Sequence, residues 1–500
     1  MVPDVTWQDS VNSVFGAINE NWGAILFWDD HPFKLPAILM VMLGGGIFFT
    51  LRYGFVSVRL FRHAWDVIRG RFDKADHKGE VTHFQALTSA LSATIGLGNI
   101  AGVAVAISLG GPGAVFWLWV AAFLGMSLKF SCCTFAQIDR IVHENGTVLG
   151  GPMVYLEKGF KRNFPRFAWL GKVLAVVFSS FAIAASLGGG NMFQGNQSFE
   201  LLAAQFPVLQ NANWLVGIVL AVLVGAVVIG GIKRIGEVTS KLVPFMCAFY
   251  CVSCLLIVFA NYEMIPSMFG QIFREAFQPD AIWAGGFVGV LIQGIKRASF
   301  SNEAGLGSSA IAHAAAKTDQ PVREGVVGML EPFIDTHVVC TLTSLAILIT
   351  GAHLDPALAG KGAAISAKAF ESLGSVAPLL LTIAATLFAY STIISWGYYG
   401  EKGTEYLFGT KAIPFFRVFY VLMVALGPVL SLGNIITFSD LMLLSMAFPN
   451  IVGMMILSGS VKSALSEYMV AYKDGFVNPF PIPQVKSAEN IDAVVSKQGV

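Results

Sequence analysis

Charge is what this sequence has least of. Asp, Glu, Lys and Arg make up 13% of its 500 residues against 55% hydrophobic ones, and the mean hydropathy is +0.67. Soluble domains carry about a quarter charged residues, so that class is excluded and a polytopic membrane protein is expected. The formal net charge is +1 and no basic run interleaves with aromatics, which argues against nucleic acid as a partner. Cysteine is scarce too, and Cys132, Cys133, Cys247, Cys251, Cys254 and Cys340 all fall inside apolar segments, which speaks for packing rather than a disulfide framework. Cys247, Cys251 and Cys254 share a helix face without a His or carboxylate to complete a metal site. A membrane-embedded enzyme needs a nucleophile with its base or a His-Glu-x-x-His cluster, and neither is present. Asp335 and His337 are the nearest to such a pair, but two residues apart on a helix they face different ways. The first ten residues lack the positive n-region of a secretory signal, so targeting is expected to rest with the first spanning helix.

What the chain does contain is long apolar runs. Residues 1–33, with Trp7, Phe15, Trp22, Phe27 and Trp28 among polar groups, read as an interfacial, partly helical arm. Span 1 covers about 35–51. Spans 2 to 11 lie near 82–109, 113–137, 170–198, 213–230, 236–260, 282–315, 325–350, 375–398, 414–431 and 434–458, eleven in all. The loop after span 1 carries Arg52, Arg59, Arg62, Arg69, Arg71, Lys74 and Lys78, which by the positive-inside rule makes it cytoplasmic and the N-terminus external. An odd count returns the C-terminus to the cytoplasm, where polar residues 476–500 are expected to be disordered.

Without span 1, ten spans remain, five and five. Because five is odd, the second group must run through the membrane in the opposite sense, the arithmetic of an inverted repeat. The chain thus divides into residues 1–80 (arm, span 1 and basic loop), 81–270 (spans 2–6), 271–460 (spans 7–11) and a tail at 461–500. Each repeat opens on an interrupted span: Gly96-Leu97-Gly98-Asn99-Ile100-Ala101-Gly102 in span 2, and Phe300-Ser301-Asn302-Glu303-Ala304-Gly305-Leu306-Gly307-Ser308-Ser309 in span 7. Lipid cannot hydrogen-bond a backbone, so an unwound helix persists only where protein, water or solute takes up the freed groups. A half-helix N-terminus suits a carboxylate and an opposing carbonyl end suits Na⁺. Close packing of small residues explains one such stretch as well, but two in register favour transport.

Span 4 crowds Asn191, Gln194 and Gln197 at intervals of three, with Gly190 and Gly195 leaving room. Gln194 is the preferred substrate contact, whereas interhelical glue fits Gln197 better. In span 9, Ser391 and Thr392, beside Tyr390, Ser395 and Trp396, either bond the carbonyl four residues back or complete an oxygen cage for Na⁺. Charges within the membrane need a reason. Lys296 and Arg297 precede the second break, Glu303 lies in it, and Glu331, Asp335 and His337 lie in span 8. Glu303 binds a proton or cation, or pairs with Lys296 or Arg297 to brace the break, and the ion pair is the preferred reading. For Asp335 and His337 bracing is preferred to a proton relay, and His83 reads as an interfacial residue.

Several long motifs resemble the alanine or glycine:cation symporter family between about residues 35 and 460. They are Gly98-Asn99-Ile100-Ala101-Gly102-Val103-Ala104, Gly110-Gly111-Pro112-Gly113-Ala114-Val115-Phe116-Trp117, Lys296-Arg297 with Phe300 to Ser308, and Phe333-Ile334-Asp335-Thr336. Tyr398-Tyr399-Gly400-Glu401 and Glu405-Tyr406-Leu407-Phe408-Gly409 are similar to the exit of the family's ninth span. The resemblance implies Na⁺-coupled, in some members H⁺-coupled, uptake of alanine, glycine or related amino acids, in the fold of the neurotransmitter:sodium symporters. It also implies that Leu97 and Gly98 offer N–H groups, and Asn99 its side chain, to the substrate carboxylate. Carbonyls of Ser92 and Ile95 with Ser391 and Thr392 would hold Na⁺, and Phe300, Ser301, Asn302 and Gly305 count with the substrate site.

The expectation is therefore an all-α polytopic membrane protein of a bacterial inner membrane, a secondary active transporter of small neutral amino acids. Na⁺ is the coupling ion and no other cofactor is expected. Spans 2, 3, 7 and 8 rock around a midplane site, and occupancy of the cation and carboxylate positions is coupled because each organises the other. The alternatives are H⁺ coupling, a broader serine or glutamine range, or an ion channel, which needs a continuous polar lining or a carbonyl ring.

Overall fold

Apolar runs of this length satisfy their own peptide groups in lipid only as helices. The computed structural model describes residues 7–30, 34–74, 76–278, 286–429 and 433–473, and a helix lies at each of the eleven expected segments. Among the described residues, seven helices are long and apolar enough to cross a membrane: Gly113–Asp139, Pro165–Gln205, Gly231–Ala260, Pro321–Thr350, Ala377–Phe408, Thr410–Val429 and Thr437–Tyr472. Spans 1 and 5 are shorter helices, Ala37–Arg52 and Asn213–Val228. Span 2 is a bent pair, His83–Thr94 and Gly98–Gly110, meeting at 54°.

Span 7 is also in two pieces. Its first helix, Gly286–Asn302, stops where Glu303 takes a left-handed φ of +53°, followed by Gly305 at +90° and Gly307 at +86°, and a short helix resumes at Ser309–His313. Glycine suits the last two because left-handed backbone strains other residues. A Cβ there would also meet Ile451 Cδ1 at 2.9 Å and Pro152 Cγ at 2.6 Å. Spans 4 and 8 run through but loosen to π-helix at Gly188–Met192 and Phe333–Cys340, a distortion that clusters at functional sites.

The C-terminal end of span 7 is tied down. Arg140, just past span 3, donates to the carbonyls of Ala314 (2.8 Å), Ala316 (2.6 Å), Thr318 (2.8 Å) and Lys78 (2.9 Å). Val81 bridges Ala316 in parallel, and an antiparallel hairpin pairs Ile141 with Leu149 and Val142 with Val148. At the other end of the chain the arm is a helix, Trp7–Leu26, whose Trp22 Nε1 donates to Ser445 Oγ at 2.8 Å and whose ring packs on Phe181.

The last helix, Ala447–Lys473, overruns the expected end of span 11 and the 460/461 boundary. Beyond residue 458 the sequence turns polar, yet Val461, Leu465 and Ala471 stay buried, and His63 Nε2 bonds Tyr468 Oη at 2.5 Å. An amphipathic face continues a helix after the all-round apolar signal stops. Residues 476–500, the tail expected to be disordered, lie outside the described residues.

Small residues let these helices approach closely. At Gly294 of span 7 a Cβ would lie 2.5 Å from Ala114 O and 2.7 Å from Trp117 Cβ of span 3. Gly294→Val is expected to destabilise the protein by about 1–3 kcal/mol, the usual range for overpacking. Thermal unfolding in detergent against wild type measures it, and an unchanged midpoint would contradict this packing.

Candidate functional site

The break in span 2 begins where Ile95 leaves helical geometry (φ −76°, ψ 93°), which swings its carbonyl off the helix direction. Gly96 N then donates to Asn99 Oδ1 at 2.9 Å, closing the turn from within. Gly98 faces the second break: a Cβ on it would lie 3.5 Å from Ser301 Cα and 3.7 Å from Phe300 O. The two interruptions, about two hundred residues apart in sequence, therefore abut.

They are joined through a carboxylate. Asp335, in the π-helical stretch of span 8 and fully buried, accepts from Asn99 Nδ2 at 2.6 Å, Ser301 Oγ at 2.7 Å and Thr336 Oγ1 at 2.8 Å. Thr336 Oγ1 in turn accepts from Asn302 Nδ2 at 3.0 Å, and Asn302 Oδ1 accepts from Ala304 N at 3.0 Å. Charge-assisted bonds of this kind are the strong ones, and three of them offset burial of the group. Asp335 thus braces both breaks and span 8 at once. Sequence marks Asp335 as a bracing charge but not what it braces, because nothing in its own helix signals the partners that come to it.

On the other side of the span 2 break, Ser92 Oγ donates to Ser391 O at 2.6 Å, Thr392 Oγ1 donates to Ser92 O at 3.1 Å, and Ser391 Oγ reaches Ser92 O at 3.4 Å. This gathers the oxygens of Ser92, Ser391 and Thr392 into one cluster. Gly96 lies against it, since a Cβ there would be 2.9 Å from Thr392 Oγ1 and 3.8 Å from Gln194 Oε1. Gln194 Nε2 donates to Gly189 O at 3.0 Å inside the span 4 π-turn, while its Oε1 is buried without a hydrogen-bond partner. A buried carbonyl oxygen left unpaired is costly, so it marks a place for a donor or a cation from outside the chain.

The other expected site residues are placed differently. Leu97 is buried beside the break and Phe300 is half-buried, its ring 6.0 Å from the Arg297 guanidinium. The Asn99 and Asn302 amides are taken up by protein groups, and Gly305 packs on spans 11 and 3, with Asn450 Nδ2 donating to its carbonyl at 2.8 Å. Asn191 Nδ2 donates to Tyr420 O at 2.9 Å, a contact between spans 4 and 10. Two readings are corrected. No ion pair joins Glu303 to Lys296 or Arg297 among the described residues; the left-handed turn at Glu303 sends its carboxylate to Ser308, in the field of Lys129, while Lys296 lies 4.8 Å over the Phe27 ring. His83 is not interfacial: it is buried and its Nδ1 faces Glu324.

Residues 21–480 match the sodium:alanine symporter family. The chain belongs to that family. It is 44% identical over 430 residues to the sodium/alanine symporter AgcS of Methanococcus maripaludis, a match covering 86% of this chain and 93% of that one. It is 32% identical over 440 residues to the probable sodium/glutamine symporter GlnT of Bacillus subtilis, covering 88% and 89%. Its fold is similar to that of the Eremococcus coleocola manganese transporter, with a TM-score of 0.50 at 13% identity over 76% of this chain and 82% of that one. A symporter family member with broken, multi-pass helices is a membrane transporter, not an enzyme.

Asp335→Ala strands the Asn99, Ser301 and Thr336 donors, each worth about 1–3 kcal/mol when left unmet in a buried site. Asp335→Asn keeps an acceptor for some of them. The alanine variant is expected to melt well below the asparagine variant, and equal midpoints would show that the carboxylate does not brace the breaks.

Proposed function

We propose that this symporter family chain imports small neutral amino acids, alanine or glycine, together with Na⁺ by alternating access. The unpaired Gln194 oxygen, facing the same break as the Ser92, Ser391 and Thr392 oxygens, carries this reading. A zwitterion brings an ammonium that Gln194 Oε1 can accept from and a carboxylate that the first N–H groups of the half-helix at Leu97 and Gly98 can hold. The oxygens of Ser92, Ile95, Ser391 and Thr392 form the Na⁺ position. Ser92 O and Thr392 Oγ1 now bond each other at 3.1 Å, so cation entry replaces that bond with ion contacts. Because Gly96 lies between the two positions, filling one orders the segment that the other needs, which is how a cation gradient drives uptake.

The inverted repeat at 81–270 and 271–460 is part of the same proposal, as are an external N-terminus, a cytoplasmic C-terminus and a bacterial inner-membrane location. Rocking of spans 2, 3, 7 and 8 is supported by the side chains that lace exactly those spans: His83, Lys129, His313, Glu324 and Glu331. The sodium/glutamine name of the B. subtilis relative puts glutamine on the substrate panel.

The test is uptake of labelled alanine, glycine, serine and glutamine into proteoliposomes under an inward Na⁺ gradient, an inward H⁺ gradient, or neither. Saturable accumulation of alanine or glycine with Na⁺ alone is the expected result, and accumulation driven only by H⁺ would reassign the coupling ion. Gln194→Leu is expected to raise the alanine KM about tenfold, the equivalent of one lost hydrogen bond to a charged group. Thr392→Val should instead raise the Na⁺ concentration needed for half-maximal uptake, and an unchanged Na⁺ dependence would remove Thr392 from the cation position.

A further inference from the structure

Away from the substrate site, a buried chain of titratable side chains runs through the inner half of the protein. Its centre is His313 in the short inner helix of span 7. His313 Nδ1 lies 2.5 Å from Glu324 Oε1 and Nε2 lies 2.7 Å from Glu331 Oε1. The other oxygen of Glu324 faces His83 Nδ1 in span 2, and the other oxygen of Glu331 accepts from Lys129 Nζ of span 3 at 2.7 Å. His83, Lys129, His313, Glu324 and Glu331 are each no more than 1% exposed. The chain ends at Asp73 in the basic loop, whose Oδ1 lies 3.7 Å from His83 Nε2 and whose side chain is 39% exposed.

The two bonds at His313 fix a proton count. A neutral imidazole has one N–H and one lone pair. With a carboxylate oxygen on each ring nitrogen, the lone pair of a neutral ring would face an ionised oxygen in a fully buried site. Either His313 is an imidazolium or one of the two carboxyls is protonated. In both cases the triad holds one proton more than a neutral ring between two carboxylates. Lys129, Cys132, Cys133 and Arg140 from span 3 and its end, Glu303 after the second break and Tyr399 of span 9 complete its electrostatic surroundings. Cys133, His313 and Glu331 have metal-ligand spacing, but the Lys129 ammonium already supplies the positive charge there, so the site suits a proton.

The geometry points to a proton-binding site at Glu324–His313–Glu331, reached from the cytoplasm through Asp73 and His83, whose occupancy locks spans 2, 7 and 8 into one moving body. The bound proton comes from the cytosol and returns there by the same route. With it in place, all four carboxylate oxygens of Glu324 and Glu331 have a donor or cation facing them. Raising the cytosolic pH removes it and leaves a lone pair against an ionised oxygen. The inner helix of span 7 then parts from span 8, and the four spans no longer rock together. The lock is therefore present at low and neutral interior pH and lost as interior pH rises. The site stands on geometry alone, while its effect on uptake rests on the Na⁺-symport reading.

The experiment is Na⁺-driven alanine uptake into oriented proteoliposomes, with pH varied separately on the two faces. Uptake is expected to fall about tenfold per pH unit above a midpoint on the basic-loop face, the slope of a one-proton titration, and to ignore the other face. His313→Gln should flatten that dependence, with Glu324→Gln as the second variant should the first not fold. A wild-type profile flat on the basic-loop face, or the same profile in both variants, overturns the proposal. Infrared titration of the purified full-length protein reads the site without transport: a carboxyl or imidazolium signal must titrate in wild type and be missing in His313→Gln. No such difference overturns the site. A wild-type protein that shows the infrared signal but no Na⁺-driven uptake sinks the symport reading and leaves the proton site standing.

Discussion

Inside a bilayer no water repairs a missing hydrogen bond, so every helix break must bring its own replacements. Here Asn99 Oδ1 accepts from Gly96 N, Asn302 Oδ1 accepts from Ala304 N and Asn450 Nδ2 donates to Gly305 O, while the two breaks are held together by Asp335. Its two oxygens take Asn99 from the first break, Ser301 from the second and Thr336 from its own π-helical turn. The loosening of span 8 over Phe333–Cys340 and the approach of the two breaks depend on one another. A carboxylate is costly in lipid, and it persists here because three donors converge on it.

Against that saturated brace, the oxygens on the other side of the span 2 break stand out. Asn99 bonds within the chain through both its amide oxygen and its amide nitrogen, whereas Gln194 keeps an oxygen that no group among the described residues meets, and the hydroxyls of Ser92, Ser391 and Thr392 bond one another's carbonyls and a neighbouring one. A binding site in a membrane protein is legible as the place where satisfaction stops short, because ligand atoms complete it. The glycine at position 96 is what lets the two groups of acceptors share one wall.

The inner half follows a different logic, in which charges neutralise one another across helices. His83, Lys129, His313, Glu324 and Glu331 pair across spans 2, 3, 7 and 8, so separating any of these spans would leave a charge alone in low dielectric. Arg140 adds the carbonyls at the end of span 7 to the same assembly. In the first helix of span 7, Lys296 lies over the Phe27 ring, with Asp440 the carboxylate whose field reaches it.

The class, the spans and the two breaks were determined by sequence alone. Apolar length and the scarcity of charge leave a chain no alternative to membrane helices, and glycines spaced with an Asn inside one, as at Gly96 to Gly102, lower the cost of leaving helical geometry there. Gln194, Ser391 and Thr392 could be nominated because polar groups in an apolar helix need a reason. Which polar groups meet was decided only by tertiary structure. Sequence spacing suggested that Glu303 pairs with Lys296, seven residues earlier on a continuing helix, but the left-handed turn at Glu303 ends that helix and redirects the side chain. His83 looked ordinary, and Asp335 read as a brace without its partners, for the same reason. Asn99, which meets Asp335, and Glu324, which meets His83, lie on other spans more than two hundred residues away in sequence, and no local pattern of period 3.6 records a contact made across helices.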